Sequence, residues 1–79
     1  MIRILVADDH AVVRQGVKQI LAEVKDITVK DEAQNGTETL KKVAEQDFDV
    51  VLLDISMPGR SGLEVLEDIK ARYPKLPVL

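Results

Sequence analysis

The chain has 79 residues, 46% hydrophobic and 32% charged, a mixture that fits one small soluble domain and excludes a disordered tail. Its 11 basic and 14 acidic residues leave a formal charge of −3, with no basic run to follow a phosphate backbone, so direct nucleic-acid binding is not expected. Without cysteine there is neither a disulfide framework nor a thiolate metal site, and no stretch nears the roughly 18 apolar residues of a membrane span.

Ile2 to Ala7 is apolar on both faces apart from Arg3, the pattern of a strand buried in a parallel sheet. It is too short for a signal peptide and runs straight into Asp8-Asp9, so a cytoplasmic protein is expected. Val13, Gly16, Val17, Ile20, Leu21 and Val24 then recur at helical spacing, with Arg14, Gln15, Lys18, Gln19 and Glu23 on the wet side. Ile27, Val29 and Ala33 make a weaker strand, and Lys30-Asp31-Glu32 marks it as an edge. Asn35-Gly36 is a turn in which Asn35 or Thr37 can cap a helix carrying Leu40, Val43 and Ala44 inward. Lys41-Lys42 reads as a solvated face of that helix.

Val50 to Leu53, four aliphatics between Asp49 and Asp54, is the strongest strand and belongs in the middle of a sheet. Pro58-Gly59 and Gly62 break the chain after it. Leu63, Leu66 and Ile69, continued by Ala71 and Tyr73, form another helical stripe, stopped at Tyr73-Pro74. Leu76 to Leu79 begins a fourth strand. Residues 1–79 thus read as one β-α-β-α-β-α-β unit, an α/β domain with a parallel sheet and right-handed crossovers.

Ligands of open α/β sheets bind outside the carboxyl ends of the strands, where strand order reverses. Asp8 and Asp9 end the first strand there, and Asp54 ends the third. If those strands are neighbours, three carboxylates meet and repel unless a cation neutralises them. Oxygen ligands without His or Cys select a hard ion such as Mg²⁺. A carboxylate beside that ion is also a nucleophile suited to a phosphoryl group. Taken singly, Asp8-Asp9 could be a helix N-cap pair and Asp54 a turn residue. A lone His10 in a first helical turn is usually just solvated. Met57 is expected to pack and shape the loop.

Val6-Ala7-Asp8-Asp9-His10 and Asp54-Ile55-Ser56-Met57-Pro58, followed by Gly62, resemble the receiver domain of two-component response regulators. The Asp-Asp-His opening with its Val-Val-Arg-Gln-Gly helix, together with Asn35-Gly36 and Tyr73-Pro74, is similar to the subfamily with LuxR-type helix-turn-helix output. The resemblance implies a flavodoxin-like doubly wound sheet of order 2-1-3-4-5. It further implies that Asp54 accepts a phosphoryl group from the phosphohistidine of a sensor histidine kinase. Asp9 would then contact Mg²⁺ directly, Asp8 through water, and Ser56 through its backbone carbonyl. Such a module signals to a DNA-binding output domain and is not itself an enzyme.

A complete receiver is nearly half as long again, so the chain is expected to be its N-terminal portion, ending after the start of the fourth strand. In the implied topology that ending bares one face of Ile2–Ala7 and Val50–Leu53, and self-association through that face or the open edge is expected. The alternative function is a phosphorylation-incompetent fragment acting only as an assembly or dimerisation unit. A haloacid-dehalogenase-like phosphatase would need a second aspartate where Ser56 stands. A dinucleotide-binding domain would need a glycine-rich turn where Asp8-Asp9-His10 stands.

Overall fold

The computed structural model describes residues 1–57 and 61–79, so the expected Pro58-Gly59 turn lies outside the described residues. Strands β1 (Ile2–Ala7), β2 (Ile27–Ala33) and β3 (Val50–Leu53) alternate with helices α1 (Ala11–Ala22), α2 (Gly36–Glu45) and α3 (Gly62–Arg72). The sheet has the order β2-β1-β3, with both pairs parallel. β2 is an edge, as its charged residues implied, and β1 is central. Leu76–Leu79 adds the beginning of a further pairing: Val78 bridges Val51 in parallel. The Val51 N–H donates to Pro77 O at 3.0 Å, and the Leu79 N–H donates to Val51 O at 2.9 Å.

Successive side chains of a strand point to opposite faces, so each strand serves two layers. Leu5, Ala7 and Val51 join Ala33, Val43, Phe48, Met57, Val65 and Ile69 in the main core, beneath α2 and α3. Ile4 and Val6 are also buried. The expectation that the second face of β1 and β3 would lie open to water is therefore corrected for these residues. The open apolar surface lies on α1 instead, where Val12, Val13 and Ile20 are exposed and no residue is buried, and it continues to the exposed Val24 just after the helix. Only part of the predicted stripe, Gly16, Val17 and Leu21, is half-buried. An amphipathic helix with one sheet face beneath it covers only the residues that point straight down.

Helix phase needs similar corrections. In α2 the inward residues are Gly36, Thr39 and Val43, with Leu40 packed partly against the core, while Ala44 is exposed. Thr39 was not singled out because it is polar; its hydroxyl donates to Asn35 O at 2.7 Å and is thereby satisfied. In α3 the core residues are Val65 and Ile69, whereas Leu63, Ala71 and Tyr73 face outward. Asn35 caps α2 by accepting the Glu38 N–H, and Ser61 caps α3 by accepting the Glu64 N–H.

Asp49, just before β3, fixes the far end of the sheet. Its Oδ2 accepts the Arg3 backbone N–H at 2.7 Å and the Arg3 Nε–H at 3.1 Å. Across the β1–β2 pair the register shifts between Ile4 and Leu5, skipping Lys30. Lys30 turns outward and lies over the Phe48 ring, 5.5 Å from its centroid.

This layering makes Leu5, fully buried in the central strand, the most sensitive apolar position. Leu5→Ala should reduce the unfolding free energy by about 2–5 kcal/mol through lost burial and a residual cavity. Val12→Ala, at a residue 85% exposed, should change it by no more than about 0.5 kcal/mol. Urea titrations of both variants check the contrast; equal losses would contradict the assigned core.

Candidate functional site

The β1–β3 register ends with Ala7 opposite Leu53, which brings the residues just beyond these strands together at one edge. The Asp54 N–H donates to Ala7 O at 2.9 Å, and the Asp8 N–H donates to Ala33 O at 3.0 Å. The three predicted carboxylates, Asp8, Asp9 and Asp54, thus share one pocket with His10. One ligand atom from each of the four lies within 4.8 Å of the others. Asp9 Oδ1 is buried, has no well-formed hydrogen bond among the described residues, and lies 2.9 Å from His10 Nδ1. A desolvated carboxylate oxygen in that position costs free energy unless a cation or proton meets it. The donor set therefore fits a divalent cation.

The two strand ends hold their acids differently. Asp8 Oδ1 accepts the His10 backbone N–H at 2.8 Å and lies 2.9 Å from the ring Nδ1. This turn lets His10 itself occupy the N-cap of α1, with no side-chain capping bond, so neither aspartate is the cap residue. Asp54 Oδ1 accepts both the backbone N–H and the hydroxyl of Ser56, each at 3.1 Å. The Ser56 N–H holds the Asp54 carboxyl below its ordinary range; burial opposes this, and the Ser56 hydroxyl and His10 add to the lowering. Among the described residues no contact assigns a role to the backbone carbonyl of Ser56, and its place among the ligands is a proposal.

His10, whose sequence position suggests only a solvated side chain, joins the site in the fold. Its Nδ1 lies 2.9 Å from Asp9 Oδ1 and 4.0 Å from Asp54 Oδ2. The hydrogen bond to Asp8 and the charge of Asp9 raise its pKa against a smaller effect of burial. The signal was its adjacency to Asp8-Asp9, which a helix-periodicity argument does not weigh.

Arg14, placed on the wet side, instead supports the site from below. Its Nη1 donates to Asp8 O at 2.7 Å and its Nε to Glu32 Oε1 at 3.1 Å. Lys18 Nζ donates to Glu32 Oε2 at 2.8 Å. Lys42 is likewise not solvated: it pairs with Asp31 at 2.9 Å and donates to Glu32 O. Gly62 supports the opposite wall. A Cβ there would overlap the backbone of Asp54 and Ile55, so only glycine lets α3 start this close to the strand end. The Gly62 N–H donates to Ile55 O at 2.8 Å. Met57, buried in the core, anchors the same loop as expected.

Residues 4–79 match the family described as the response regulator receiver domain. Response regulator GacA of Pseudomonas viridiflava is 43% identical over 79 residues, all of this chain and 37% of that protein. TrrA of Thermotoga maritima, solved in complex with Mg²⁺ and BeF, superposes with a TM-score of 0.92 at 42% identity, over 99% of this chain and 66% of that one. RcsB of Salmonella enterica, solved bound to a promoter in the presence of the phosphomimetic BeF₃⁻, gives a TM-score of 0.92 at 27% identity, over 99% and 66%. The chain thus spans about a third of the length of GacA. Among the described residues no helix is long and apolar enough to cross a membrane.

The Arg14–Glu32–Lys18 network ties the stability of this region to pH. Lys18 holds the Glu32 carboxyl below its usual range, Arg14 assists, and burial opposes. A lowered folded pKa gives stability that is present above the unfolded value, about 4.3, and lost as pH falls through the lower folded value. Glu32→Gln should therefore lower the melting temperature near neutral pH. Its curve should converge with that of the unmodified chain in acid. Thermal melts across that range check this; a constant offset at all pH values would contradict it.

Proposed function

Because the chain belongs to the response regulator receiver domain family, a signalling module of two-component systems, we propose that Asp54 is its phosphoacceptor, served by Mg²⁺ held among Asp8, Asp9 and Asp54. The observation that carries this reading is the convergence of three carboxylates from two neighbouring strand ends. The phosphodonor is the phosphohistidine of a sensor histidine kinase. A carboxylate oxygen of Asp54 attacks phosphorus, the P–N bond breaks, and its electron pair stays on the departing imidazole, which takes up a proton. Ser56 holds the other Asp54 oxygen in place through its N–H and hydroxyl.

Three negative charges would repel an incoming phosphoryl group, and a divalent cation held by these residues would supply the charge that offsets this. Asp9 is assigned direct contact, Asp8 contact through water, and Ser56 a backbone carbonyl ligand. The partner downstream is a DNA-binding output domain of the LuxR helix-turn-helix type. The promoter-bound state of RcsB supports that reading, as does the greater length of GacA. The module works in the cytoplasm, where sensor kinases and promoters are accessible.

Asp54→Asn should abolish labelling by acetyl phosphate or by a phosphorylated kinase, while the folded signature in far-UV circular dichroism is retained. Labelling that survives in this variant, mapped to another residue by mass spectrometry, would refute the assignment.

A second reading, assembly without phosphoryl transfer, is favoured by the exposed apolar residues of α1, where Ile20 is 68% accessible. The occupant proposed for that face is a second copy of the chain. Sedimentation equilibrium should show a dimer that Ile20→Glu dissociates; a monomer before substitution would exclude it.

A further inference from the structure

We propose that the His10 imidazole is a further protein ligand for the cation held among Asp8, Asp9 and Asp54, giving the site a preference for borderline ions such as Co²⁺ and Ni²⁺ beyond what oxygen ligands alone provide. This rests on the metal site proposed above and concerns which ion that site selects. The ring is not positioned by packing or capping: it is 62% exposed and makes no side-chain bond to the helix it precedes. Asp8 Oδ1 and Asp9 Oδ1, each 2.9 Å from Nδ1, turn it into the pocket.

The distances suit coordination. Metal bonds of about 2.1 Å place adjacent ligands of an octahedron roughly 3.0 Å apart and opposite ligands roughly 4.2 Å apart. Nδ1 lies 2.9 Å from Asp9 Oδ1 and 4.0 Å from Asp54 Oδ2, close to one adjacent and one opposite separation. With Nδ1 presenting its lone pair to the ion, the ring keeps its hydrogen on Nε2. Asp8 Oδ1 gives up the ring but retains the His10 backbone N–H, at 2.8 Å, which holds the turn. Imidazole strengthens binding of Co²⁺ and Ni²⁺ far more than that of Mg²⁺, which prefers oxygen. His10 is the only histidine and there is no cysteine, so no other imidazole or thiolate can supply this preference.

Isothermal titration of the untagged chain with MgCl₂, CoCl₂ and NiCl₂ tests the idea, with His10→Ala and Asp9→Asn as variants and Co²⁺ visible absorption as a second readout. In His10→Ala the ratio of Ni²⁺ to Mg²⁺ affinity should fall by at least about tenfold, with Mg²⁺ affinity little changed. The Co²⁺ spectrum should shift as nitrogen leaves the coordination shell. An unchanged ratio and spectrum would overturn the inference. So would tighter binding of all ions by His10→Ala, since that would make the ring a competitor for the site. Failure of the underlying site is read separately, by Asp9→Asn: undiminished Mg²⁺ binding in that variant would remove the metal site itself.

Discussion

The parallel pairing of β1 with β3 is the constraint on which the remainder depends. Its register runs from Ile4 opposite Val50 to Ala7 opposite Leu53. A slip of one residue would turn Leu5 and Val51 away from the core and separate the two strand ends. Apolar burial sets this register along the strands, and at the amino end the Arg3–Asp49 contacts lock it. At the carboxyl end the same alignment forces Asp8, Asp9 and Asp54 together. The core therefore holds an electrostatic conflict in place: the free energy of burying aliphatic side chains keeps like charges close.

That conflict is moderated by donors supplied locally. Ser56 gives two hydrogen bonds to Asp54, the backbone of His10 gives one to Asp8, and the His10 ring lies among the carboxylates. Around this centre a second ring of charges is neutralised pairwise by Arg14, Lys18 and Lys42 against Glu32 and Asp31. The register shift at Lys30 sets Asp31 and Glu32 where those cations can reach them. Partly exposed pairs of this kind contribute little individually, but Arg14, held by Glu32, ties down the Asp8 carbonyl at the floor of the pocket.

The two faces of the sheet are unequal. The α2–α3 face holds the contiguous core, and the loop after β3 joins it through Met57. The α1 face buries Ile4 and Val6 yet leaves an apolar flank of the helix in water. Gly62 links fold and site on the first of these faces, since the start of α3 lies against the backbone of Asp54 and Ile55.

The sequence by itself determined the element order, the parallel α/β class, the edge character of β2 and the identities of the three acids. Those features follow from local periodicity and from aspartates at strand ends. It also carried the family, through the residues after β1 and β3. Tertiary structure alone decided the exact phase of each helix, placing Thr39 and Val65 inside and Leu63 and Ile20 outside. Helical phase depends on the plane of the sheet beneath, which periodicity does not encode. It decided too that Arg14 and Lys42 are structural ties and that His10 turns into the acidic pocket, because a long or rotatable polar side chain takes its partner from whatever charge the fold brings near.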